Sequence, residues 1–82
     1  MMAELVRQIE AFADGRTSRS TFDSWFYELS FDVEKTQPEP IVALVHEVEG
    51  LLAESSSGGW SEGDLRAELN AAIAPYRRVL VA

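Results

Sequence analysis

Residues 40–53 read PIVALVHEVEGLLA, and the spacing of their apolar positions decides the fold. Ile41, Leu44, Val45, Val48, Leu51 and Leu52 fall at i, i+3, i+4, i+7, i+10 and i+11, which is one face of an α-helix. Val42, Val45 and Val48 are β-branched and favour strands, but the period is not two, so the segment is read as a helix from about Pro40 to Ala53. Pro38-Glu39-Pro40 restarts the chain ahead of it, because proline in a first turn lacks only an N–H that has no intrahelical partner. Gln37 precedes Pro38 and is pushed out of the α region, so the preceding helix must fail between Ser30 and Thr36.

That preceding segment carries the aromatics. Phe22, Trp25, Phe26, Leu29 and Val33 lie on a single helical face. Ser18 or Ser20 can cap it, and Ser20 with Asp23 fits a capping box in which Asp replaces Glu. Before it, Leu5, Ile9, Phe12 and Ala13 stripe a first helix from about Ala3 to Asp14, with Gly15 where a left-handed residue ends a helix. After residue 53, Glu54-Ser55-Ser56-Ser57-Gly58-Gly59 is a polar connection. Ser61 and Asp64 then form a capping box, and Trp60 against Leu65 is a hydrophobic staple. Leu65, Leu69, Ala72 and Ile73 share one side of a last helix that should end near Ala74, before Pro75. Three conformations are open to the tail Tyr76 to Ala82: helix continued past a kink, a short strand, or a frayed end.

The fold expected is therefore all-α, a compact antiparallel four-helix bundle forming a single domain over residues 1–82, with 75–82 as a tail. Its core should comprise Leu5, Ile9 and Phe12 from the first helix and Phe22, Trp25, Phe26 and Leu29 from the second. Leu44, Val45, Val48 and Leu52 come from the third, and Leu65, Leu69 and Ile73 from the fourth.

Composition narrows the function. Fourteen acidic residues against seven Lys and Arg give a net charge of −7, so a phosphate backbone should be repelled and direct nucleic-acid binding is disfavoured. The acidity is local. Residues 20–64 hold ten acids against one base, Lys35, whereas residues 1–19 balance and residues 65–82 carry an excess of arginine. With no cysteine and one histidine, neither disulfides nor a thiolate or multi-histidine metal site can form. No apolar run approaches the ~18 residues of a membrane span, and the N-terminus lacks the layout of a signal peptide, so the cytoplasm is expected.

Catalytic patterns are missing. His46, the one near-neutral acid–base group, should point away from the apolar stripe with Glu49 as its one available partner, and reads as a surface residue. The serines fit caps and linkers, with no nucleophile elbow, and Gly58-Gly59 has no phosphate-loop context. Asp32, Glu34 and Glu39 do not match a calcium loop. No cofactor is called for. Gly50, inside the third helix, admits two readings: a close approach by another backbone, or a bend.

Two surface features remain. In a second helix continuing to Val33, Glu28 and Asp32 would be a like-charged i, i+4 pair, which either solvates the surface or docks a basic partner. Tyr27 and Phe31 are an i, i+4 aromatic pair on the side away from the core stripe. They read as interface anchors, or Phe31 swings back to close the core if the helix ends early.

The stretch FADGRTSRSTFDSWF, residues 12–26, resembles the opening of small bacterial immunity proteins of the colicin D immunity-like group. Leu51-Leu52-Ala53-Glu54, Gly59-Trp60-Ser61-Glu62 and Leu65 to Leu69 are similar to that group's second half. The resemblance covers most of residues 5–73, chiefly through caps and core positions, and stops before the tail. It implies a helical, non-enzymatic antitoxin that occludes the basic cleft of a tRNA-cleaving toxin with acidic side chains. Glu28, Asp32, Glu47 and Glu54 are the acids expected to meet such a basic nuclease toxin domain, with Tyr27 or Phe31 as apolar anchors. The alternative is an acidic adaptor or regulatory protein acting through protein contacts, or a homodimer joined at Tyr27 and Phe31.

Overall fold

A computed structural model describes the backbone of residues 1–81 and the side chains through residue 77. The described chain is all-helical: α1 is Met2–Ala13, α2 Arg19–Ser30, α3 Val33–Thr36, α4 Glu39–Ser56 and α5 Glu62–Val81. Five helices stand where four were expected, because the second segment breaks in two.

Local chemistry sets most boundaries. At the end of α1, the Gly15 N–H donates to Phe12 O and the Arg16 N–H to Ala11 O, the paired bonds of a Schellman turn. Gly15 has φ +83°, which an L side chain rarely adopts, so glycine is required there. Ser18, not Ser20, caps α2, its Oγ accepting the Thr21 N–H at 3.2 Å. The Ser20–Asp23 box does not form. Asp23 instead faces Arg19 one turn back, with Nε 2.9 Å from Oδ1. The box expected before α5 does form: Ser61 N–H donates to Asp64 Oδ2 at 3.1 Å, and Asp64 N–H donates to Ser61 Oγ at 3.0 Å. Trp60 packs against the core that contains Leu65.

Helix α2 stops at Ser30. Phe31 keeps helical angles, but Asp32 leaves them at φ −119° and ψ 14°. The Asp32 carbonyl then accepts the Lys35 and Thr36 N–H groups and the Thr36 hydroxyl, which starts the single turn of α3. This break turns Val33 into the core at 3% exposure. Phe31 remains outside at 76%, although the helix does end early, and Val33 is the residue of this break that enters the core.

The core joins α1 (Leu5, Val6, Ile9, Phe12) to α2 (Phe22, Phe26) and to α4 (Ile41, Leu44, Val45, Val48). The α5 residues Leu65, Leu69, Ala72 and Ile73 complete it. Phe12 and Phe22 stack with ring centroids 4.7 Å apart, locking α1 to α2. Three positions expected in the core, Trp25, Leu29 and Leu52, are half-buried and pack on its edge. Val42, absent from the expected core, is 9% exposed. The stripe on α4 is wider than its six marker residues suggested.

Helix α4 runs three residues past Ala53, and α5 does not end at Ala74. Of the three conformations open to the tail, the backbone through Val81 takes the helical one, with Pro75 inside the helix; Ala82 lies outside the described residues. Proline removes a hydrogen bond here, but tertiary contacts hold the helix across it. Tyr76 packs against the core, Arg77 Nε donates to Glu10 Oε2 at 2.8 Å, and Arg77 Nη2 donates to Asn70 Oδ1 at 2.6 Å. No helix of the described residues is long and apolar enough to cross a membrane.

Candidate binding surface

The outer side of α2 carries the largest exposed apolar groups of the described chain. Tyr27 is 71% exposed and Phe31 76%, one helical turn apart. Both face away because Phe22, Phe26 and Leu29 commit the opposite side of α2 to the core. Glu28 and Asp32 flank them and are exposed. Since α2 ends at Ser30, Glu28 and Asp32 are not held in the continuous helical i, i+4 geometry anticipated for them.

Among the described residues, ion pairs occupy Glu4, Glu10, Asp14, Asp23, Glu34 and Glu62. Glu28, Asp32, Glu47, Glu49 and Glu54 are in none of them, so their charges face solvent unneutralised. The four acids singled out in the sequence belong to this set, yet the fold does not gather them on one face. Glu47 and Glu54, seven residues apart on α4, point within about 20° of each other at ~100° per residue. Glu49 points roughly 140–160° away from them. The α2 side of α4 is the side of Glu49.

There α2 and α4 leave an open groove of about 320 Å³. Its α2 wall is Arg19, Asp23, Phe26, Tyr27 and Ser30; its α4 wall is Glu49, Leu52, Ala53 and Ser56. On α4 these lie at i, i+3, i+4 and i+7, a single stripe flanking the buried one. Tyr27 thus belongs both to the outer aromatic face and to the groove. A second depression beside Phe31 is bounded by Ser30, Asp32, Glu34 and Lys35 and includes the α2–α3 break.

His46 is exposed as expected, but its partner is not Glu49. Its Nε2 lies 2.8 Å from Glu34 Oε1, which ties α3 to α4. Glu34 reaches it because α3 is a separate turn aimed along α4, an arrangement that spacing within α4 cannot disclose. No three His, Asp or Glu side chains of the described residues converge as metal ligands. Glu49 and Asp23 were passed over in the sequence. The usable signal was the i, i+3, i+4, i+7 row Glu49-Leu52-Ala53-Ser56, which becomes meaningful once α4 is known to reach Ser56.

No family model matches the chain, and no curated protein and no solved structure matches it either.

Proposed function

We propose that this chain is a non-enzymatic immunity protein that binds a basic nuclease toxin domain and occludes its substrate cleft in the cytoplasm. The observation that carries the reading is the outer face of α2, where exposed Tyr27 and Phe31 are flanked by unneutralised Glu28 and Asp32. Buried aromatic anchors ringed by charge are the usual energetic centre of a protein interface. An acidic surface attracts a nuclease cleft built to hold phosphate, which raises the association rate and disfavours other partners. Glu47 and Glu54, on the far flank of α4, add to the long-range field and would meet a partner that wraps around that helix. The same reading takes α1, α2, α4 and α5 as an antiparallel four-helix bundle with α3 inserted; its support is that α5 packs along both α1 and α4.

Homodimerisation through Tyr27 and Phe31, the alternative, would press Glu28 and Asp32 of two copies together, and like charges in an interface are costly. The test is co-expression with the product of the neighbouring gene, which on this reading is a nuclease toxin. Growth should be rescued, and a Glu28→Lys/Asp32→Lys variant should lose rescue while keeping its circular dichroism spectrum and urea midpoint. Undiminished rescue by that variant overturns the proposed face. A dimer mass in light scattering, with no rescue by the native chain, favours the adaptor reading.

A further inference from the structure

We propose that the α2–α4 groove seats an arginine side chain projecting from the basic protein partner. The inference rests on the reading above and assigns a subsite and a residue type to it. Three features converge on arginine. The floor formed by Phe26 and Leu52, with Ala53 beside it, is apolar and suits the aliphatic stem of a long basic side chain. Tyr27 stands on one wall, 71% exposed, with a ring face available to a guanidinium. Glu49 stands on the other wall with its charge unneutralised among the described residues, whereas Arg19, which also lines the groove, is paired with Asp23 and leaves Glu49 as the groove's net charge. Ser30 and Ser56 add hydroxyl acceptors at the rim.

Guanidinium fits better than ammonium. It is more weakly hydrated, stacks on an aromatic ring and presents a planar fork to a carboxylate, all of which this groove can use at once. Charge also selects the occupant. Nucleic acid would be repelled by a chain of net charge −7. A second copy is a poor donor, because two chains of net charge −7 repel each other and, among the described residues, its exposed Arg7 and Arg16 are already paired with Glu4 and Asp14. A partner carrying excess arginine meets neither obstacle.

The test uses the full chain, ¹⁵N-labelled and titrated with a hexa-arginine amide at about 150 mM salt, where contacts beyond roughly 8 Å are screened. Saturable shifts should concentrate at the amides of Tyr27, Glu49, Leu52 and Ala53. Glu49→Gln and Tyr27→Ala, both changes at exposed side chains, should each weaken binding roughly three- to fivefold. Glu68→Gln, an exposed acid on α5 outside the groove, should leave it unchanged, and a hexa-lysine amide should bind more weakly than hexa-arginine. Absence of saturable shifts in the groove, or equal losses for Glu68→Gln and Glu49→Gln, overturns the subsite. The two readings fail separately: toxin rescue that survives Glu49→Gln removes the groove and retains the immunity function, while groove binding without any rescue does the reverse.

Discussion

The Arg66 guanidinium carbon sits 4.2 Å from the centroid of the Phe12 ring, joining the first turns of α5 to the last turn of α1. The Arg66 side chain is 20% exposed and its Nη2 donates to Glu62 Oε2 at 2.7 Å, while Nη1 is buried with no hydrogen-bond partner among the described residues. A Cβ on Gly15 would lie 4.0 Å from that Nη1, so the cation covers the C-terminal end of α1, where the helix dipole favours positive charge. The ring gains a cation over its face and the fold gains a contact between distant parts of the chain.

Removing that contact should be felt. Arg66→Ala is expected to cost about 1–2 kcal/mol, combining the cation–π term with the lost packing of the stem. Arg66→Met should recover part of the loss, since it keeps a stem and removes the unpartnered donor. Urea denaturation followed by tryptophan fluorescence gives the comparison; equal midpoints for native and Arg66→Ala chains would show the contact to be neutral.

The two serines at the start of α2 should behave differently. Ser18→Ala removes the acceptor for the Thr21 N–H and should destabilise by about 1 kcal/mol. Ser20 caps nothing, and Ser20→Ala should fall within about 0.5 kcal/mol of the native chain. A larger loss at Ser20 than at Ser18 would reassign the cap.

Gly50 lies mid-helix in α4, exposed, with no atom within 4 Å of the position a Cβ would take. Neither a close backbone approach nor a left-handed conformation requires glycine there. Gly50→Ala should therefore stabilise by about 1 kcal/mol, seen as a raised urea midpoint with an unchanged slope. A lowered midpoint would reveal a bend that the extra methyl disturbs.

Acid sensitivity should be traceable to the start of α1. Hydrogen bonds from Gln8 and then Arg7 hold the Glu4 carboxyl below its ordinary 4.5. A carboxylate depressed in the folded state contributes stability that is present above its unfolded pKa and lost as pH falls through the lower folded value. Glu4→Gln should accordingly unfold more easily than the native chain above pH 4.5, and the two midpoint curves should converge in stronger acid. Curves that stay parallel across that range would remove Glu4 as the source.

Much of the fold was legible in short-range pattern. The rows Ile41 to Leu52 and Phe22 to Leu29 marked helices, Gly15 marked an end, and Ser61 with Asp64 marked a start, because each signal is complete within one or two turns. The candidate face was legible in part: Tyr27 opposes the apolar stripe of its own helix, so its exposure follows from α2 alone, whereas Phe31 sits at the break after that helix. The core edges were less so. Trp25 and Leu52 share the apolar periodicity of buried neighbours, and what separates them is how closely another helix approaches.

By itself, then, the amino-acid order determined which segments are helical, which faces are apolar and where the acidic charge is concentrated. Tertiary structure decided the rest. It put Val33 rather than Phe31 into the core, gave His46 to Glu34, carried α5 across Pro75 through the Arg77–Glu10 contact, and set α2 opposite Glu49 so that Glu49 became a wall of the α2–α4 groove. The physical reason is common to all four. Helical periodicity is set by backbone geometry within a few residues, whereas these choices depend on which side chains from distant segments compete for the same space or charge.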